Sequence, residues 1–115
     1  PSIKGYPTDM NDKIDYALDF YKVQLTPHFE LEKQLWQAVA PKSSALNELI
    51  EELKIERSKL IQLFDTLNES RIESTLNDMG TLLEKHIRKE ERALFQLIQQ
   101  DLSENELQQL SAIIR

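Results

Sequence analysis

From Ile14 onward the apolar residues recur at steps of three and four in three long runs, and a chain so patterned buries them only by folding as helices packed against one another. The first run is Ile14, Leu18, Tyr21, Leu25, Leu35 and Val39; the second is Leu46, Leu49, Leu53, Leu60, Leu63 and Leu67; the third is Ile72, Leu76, Met79, Leu83, Ala93 and Leu97. A shorter run through Leu107 and Leu110 follows. Punctuation sets the limits. Thr8 or Asp9 caps the first helix after an irregular lead containing Gly5 and Pro7, and Pro41 ends it. Ser43 or Ser44 caps the second, Asn68 to Ser70 turn the chain, and Ser103 with Glu106 forms a capping box before the last helix. The spacing predicts helices over about 9–39, 43–68, 70–100 and 103–114, within a single domain over 1–115. Short connections make neighbouring helices antiparallel. The expected fold is therefore all-α, an up-and-down helical bundle of three long helices and a short C-terminal one.

Two positions disturb the regular helices. Pro27 lacks the N–H that an interior ladder bond requires, so a kink or local widening is expected just before His28. Gly80 weakens the third helix by about 1 kcal/mol relative to Ala, and its missing side chain suits close packing or a bend.

Composition removes several function classes. With no cysteine there is no disulfide framework, zinc knuckle, iron–sulfur cluster or thiol nucleophile, and any metal must be held by nitrogen and oxygen. Only two glycines leave no room for a Gly-rich phosphate loop. A net charge of −6 repels phosphate backbones and anionic lipid, so neither nucleic acid nor a membrane is expected as a partner. No apolar stretch approaches the ~20 residues of a membrane span, and the first residues contain no signal-peptide pattern; the expected location is cytoplasmic.

The chemistry lies where the seams stop being apolar. His28 and Glu32 interrupt the first, Glu56 the second, and His86 and Glu90 the third. These are the chain's only two histidines, and each is followed by a glutamate four residues on, hence on one helical face. Burying such groups without partners costs several kcal/mol each, more than the ~0.5 kcal/mol an exposed i,i+4 pair returns. A transition ion bound by imidazole and carboxylate compensates them, and this donor set suits iron or manganese, as one ion or two. The metal-free alternative is a buried salt-bridge network. A second stripe through Ile50 and Phe64 fits the middle run almost as well, so Glu56 and Arg57 straddle its buried face. Arg57 between two carboxylates would neutralise them without any ion. Tyr21, Trp36, Phe64 and Phe95 read as packing, and the charged run from Lys85 to Arg92, His86 and Glu90 excepted, as a solvated face.

The segments Leu25-Thr26-Pro27-His28-Phe29-Glu30-Leu31-Glu32 and His86-Ile87-Arg88-Lys89-Glu90-Glu91-Arg92-Ala93-Leu94-Phe95 resemble the HxxxE motifs of hemerythrin-like domains, also called HHE cation-binding domains. The resemblance extends from about residue 10 to 110. It implies a four-helix bundle with a non-haem di-iron centre, and roles in binding or sensing oxygen or nitric oxide or in iron handling. It also implies His28, Glu32, His86 and Glu90 as ligands. Two features of the family's pattern are missing. No histidine precedes His28, and Glu56-Arg57 stands where the third family helix offers a histidine after an acid. Either Glu56 joins the ligands, or another chain supplies a helix, or Arg57 has replaced the ion.

The expected function is metal-cation binding without turnover of an organic substrate. The alternative is a metal-free bundle acting as a dimerisation or protein-interaction module. Without the family's first helix an apolar groove is open, which suits a homodimer or a partner helix; a piece of a longer protein whose N-terminal helix completes the core is a third possibility. On spacing alone, His86→Leu in a metal-free bundle should leave stability unchanged or raise it.

Overall fold

The computed structural model describes residues 9–114 of the chain. Helix α1 (Met10–Phe20) continues through a π turn (Tyr21–Leu25) into α2 (Thr26–Val39), and a 3-10 turn (Ala40–Lys42) leads to α3 (Ser44–Ser70). Helix α4 (Glu73–Lys89) passes through a second π turn (Glu90–Leu94) into α5 (Phe95–Asp101), and α6 (Glu104–Ile114) follows. These make four helical rods, with no strand among the described residues. None of the helices is long and apolar enough to cross a membrane.

The expectation of three long helices and a short fourth is corrected, because the first and third rods are each divided by a π turn into two α-helices. The first division has the cause expected of Pro27. Proline at the second position of α2 has no N–H to give, and the ladder widens just ahead of it, where the Thr26 amide and hydroxyl both donate to the Tyr21 carbonyl, the hydroxyl at 3.0 Å. In the second π turn the Phe95 amide donates to the Glu90 carbonyl. The extra residue turns the seam, so that Leu94 and Ile98 are buried where Ala93 and Leu97 were expected and are only half-buried.

Caps hold the rod ends. Asp9 accepts from the Asp12 amide at 2.9 Å and Ser43 from the Leu46 amide at 3.1 Å, while Ser103 and Glu106 form the reciprocal capping box. Thr8 and the lead around Gly5 and Pro7 lie outside the described residues. The turn expected at Asn68 to Ser70 is helical instead. The chain reverses at Arg71, whose φ of 55° is a left-handed cap that returns its amide to the Leu67 carbonyl, and Ile72 beside it is exposed.

Two ties set the antiparallel order. The Arg71 guanidinium donates to Asp15 at 2.8 Å and to the Asn11 carbonyl at 3.0 Å, joining the end of α3 to the beginning of α1. The Ser43 hydroxyl donates to the Asp101 carboxylate at 2.7 Å, joining the beginning of α3 to the end of α5. Helix α6 then turns back along α2. The core is in two apolar parts, one around Trp36, Leu46, Leu53 and Leu94, the other around Ile14, Phe29, Leu60 and Phe64. In the second rod Ile50 and Phe64 are buried and Leu49 and Leu63 half-buried, so the shifted stripe describes that face better.

Close packing at Gly80 is not observed. It is exposed, and a Cβ built there meets nothing within 4 Å. Gly80→Ala is therefore expected to stabilise the protein by about 0.5–1 kcal/mol, read as a higher urea midpoint at unchanged slope. A lower midpoint would mean that the helix needs the glycine.

Candidate metal centre

Between the two apolar parts lies one polar layer, made by the residues that interrupted the seams. Glu32, Glu56, His86 and Glu90 are all buried, and His28 closes the layer on its solvent side with 47% of its side chain exposed. Each rod contributes where its apolar face crosses the layer: α2 gives His28 and Glu32, α3 gives Glu56, α4 gives His86, and the second π turn begins at Glu90.

Glu32 and Glu90 each hold an oxygen between two imidazoles. Glu32 Oε2 is 3.0 Å from His86 Nε2 and 3.3 Å from His28 Nε2; Glu90 Oε1 is 3.3 Å and 3.6 Å from the same two atoms. Glu56 stands on the other edge of the His86 ring, its Oε1 3.1 Å from Nδ1, and its Oε2 accepts from Lys89 Nζ at 2.6 Å. Glu32 and Glu90 therefore stand between His28 and His86, and the fifth expected site residue, Glu56, meets only His86 among the other four.

Electrostatics follow from this arrangement. Hydrogen bonds to Glu32 and then Glu90 raise His28 to about 10. Burial opposes charge on His86, yet the Glu32 hydrogen bond and the surrounding carboxylates raise it above the ordinary imidazole range. Burial also opposes charge on Glu32, but His28 and His86 donate to it and hold it at about 2. Glu90 goes the other way, pushed up to about 7 by burial and by the neighbouring Glu32. Burial resists ionisation of Glu56 as well, and Lys89 with His86 brings it below the ordinary carboxylate range. Without a metal the layer is thus an imidazolium–carboxylate network.

The role weighed for Arg57 is corrected. Its guanidinium lies over the Trp36 ring, 4.6 Å from the centroid, and no ion pair joins it to the site carboxylates among the described residues. The cation that reaches the layer is Lys89, which belongs to the charged run expected to face solvent. One signal could have found it: three residues beyond His86, it flanks the buried stripe on the same side of the helix. Trp36 also does more than fill space, presenting its ring edge-on to His86 with centroids 6.2 Å apart. Phe95, expected in the core, is 43% exposed and lines a cavity of about 180 Å³ together with Leu31, Leu35, His28, Glu32 and Glu90. Tyr21 packs as expected, stacked on Phe64 at 4.3 Å.

A family model, the hemerythrin HHE cation binding domain, matches residues 4–106. The chain belongs to this family. No curated protein and no solved structure matches it.

The residues of this HHE domain fit a cation. His28, Glu32 and Glu90 offer ligand atoms that all lie within 4.8 Å of one another. Donors ~2.0–2.2 Å from one ion stand about 2.8–3.6 Å apart in octahedral or tetrahedral arrangement, and the four imidazole–carboxylate separations, 3.0 to 3.6 Å, fall in that range already. Glu32 Oε1 is buried with no hydrogen-bond partner, which leaves an acceptor for a cation to satisfy.

Proposed function

We propose that this HHE domain binds non-haem iron, or manganese, through His28, Glu32, His86 and Glu90, with Glu56 completing the polar layer, and that it binds or senses a small diatomic ligand or handles iron. The observation that carries the reading is the convergence of two imidazole Nε2 atoms on the same two carboxylate oxygens. Iron held there would supply an open coordination position and one-electron chemistry toward a ligand such as dioxygen or nitric oxide. Glu32 and Glu90 would offset the cation's charge, and the two apolar halves of the core exclude water on either side of the layer. The cavity beside Leu31, Leu35 and Phe95 suits a small apolar ligand approaching past His28. The reading is of a binding protein and not an enzyme. It includes pairing of two copies, or capture of a partner helix, over the face where Leu31 and Phe95 are exposed.

Metal content decides it, measured on protein purified without a metal-affinity column, before and after anaerobic addition of ferrous iron, followed by absorption spectra in air. Near-stoichiometric iron with charge-transfer bands is expected. Iron at trace level after loading would sink the reading and leave the metal-free interaction module. Sedimentation of the same sample should give a dimer; a monomer would remove the paired form.

A further inference from the structure

We infer that Glu56 is not a ligand but the anchor of His86, held in turn by Lys89, and that the centre consequently takes a single ion. The inference rests on the metal-binding reading and narrows it. Both oxygens of Glu56 are already engaged, Oε1 with His86 Nδ1 at 3.1 Å and Oε2 with Lys89 Nζ at 2.6 Å. The two nitrogens of an imidazole diverge, so an ion on Nε2 lies on the far side of the ring from Glu56. A carboxylate only accepts, so Glu56 holds a hydrogen on Nδ1, and the nitrogen that gives up its proton to an ion is Nε2, which faces Glu32 and Glu90. Fixing which nitrogen is free is the usual office of a residue standing behind a metal-bound histidine.

Lys89 is what limits the count. Two ions in one centre stand ~3.5–4 Å apart, and each needs donors of its own beyond the carboxylates they share. Glu56 is the remaining buried carboxylate of the layer, and an ammonium group occupies it. Lys89 Nζ also lies 3.8 Å from Glu52, so it is held from two sides. One fixed positive charge therefore stands where a second cation would need its ligand.

Cobalt(II) is the probe, with native mass spectrometry to count ions and the visible spectrum to report the coordination sphere. The wild-type chain is expected to bind one ion. Glu56→Gln should keep one ion and an unchanged spectrum while binding about 10–100-fold more weakly. Lys89→Met should weaken binding in the same direction, and the double variant should be no worse than the weaker single one, because both act through His86. Glu32→Gln should lose stoichiometric binding. Two ions per wild-type chain, or a changed spectrum in Glu56→Gln, would overturn the inference and leave metal binding standing. No ion at all would overturn both. Should Glu56→Gln fail to fold by circular dichroism, Lys89→Met decides alone: unchanged affinity would count against the anchor.

Discussion

His86→Leu is expected to cost the ion-free protein about 3–5 kcal/mol, a large part of the stability of a domain this size. The ring is fully buried, with Glu56 on one edge and Glu32 and Glu90 on the other. Leucine fits the apolar seam but leaves those carboxylates without their shared donor. His28 is half in solvent, and Lys89 reaches only Glu56 and Glu52. The geometry thus reverses what spacing alone suggests, which was a neutral or stabilising change. Urea unfolding at pH 7 tests this: an unchanged or higher midpoint would mean that the network contributes nothing. The deficit should shrink toward pH 5, as the orphaned carboxylates take up protons. The same variant should bind no stoichiometric ion.

The second large effect is on pH dependence, which should run in opposite directions for the ion-free and the loaded protein. His28 rises from 6.5 to about 10 on folding, so its contribution is complete below pH 6.5 and lost as pH rises toward 10. Glu90, raised from 4.5 to about 7, also makes the folded chain hold more protons than the unfolded one, so it too lowers stability as pH rises between those values. Glu32 falls from 4.5 to about 2, and its contribution is present above 4.5 and lost as pH drops toward 2. Ion-free stability should therefore peak near pH 4.5 and decline as pH rises through neutrality. Binding an ion releases the protons on the imidazoles, so affinity rises with pH over the range in which the empty site weakens the fold. The gap in melting temperature between loaded and ion-free protein should widen from pH 5.5 to 8. A gap that stays constant would show that no protons leave on binding.

Much of this was legible before any coordinates, and particular residues show why. A polar group at a seam position stands out against its neighbours, so the five residues of the layer could be picked from spacing, as could the widening ahead of Pro27. Arg57 and Lys89 were the failures. Both flank the buried stripe by one position, and a long cationic side chain in that place can swing toward either side of the helix. Which way each turns depends on a partner from another rod: the Trp36 face for Arg57, Glu56 for Lys89. The drift from Ala93 and Leu97 to Leu94 and Ile98 was hidden for a different reason. Alternation by three and four assumes the α-helical period throughout, and nothing comparable to Pro27 marks the second π turn in the sequence.

The two imidazoles differ in how freely each can move. His86 is enclosed, with both nitrogens engaged, whereas His28 is half in solvent at the start of α2, one residue after the proline and beside the widened turn. For any ion lodged between them, the path to bulk water runs past His28. Thermodynamic grip and kinetic access are thereby assigned to different helices: the depth of the well is set mainly at His86, while the time an ion spends in it is set by how often one exposed ring swings aside.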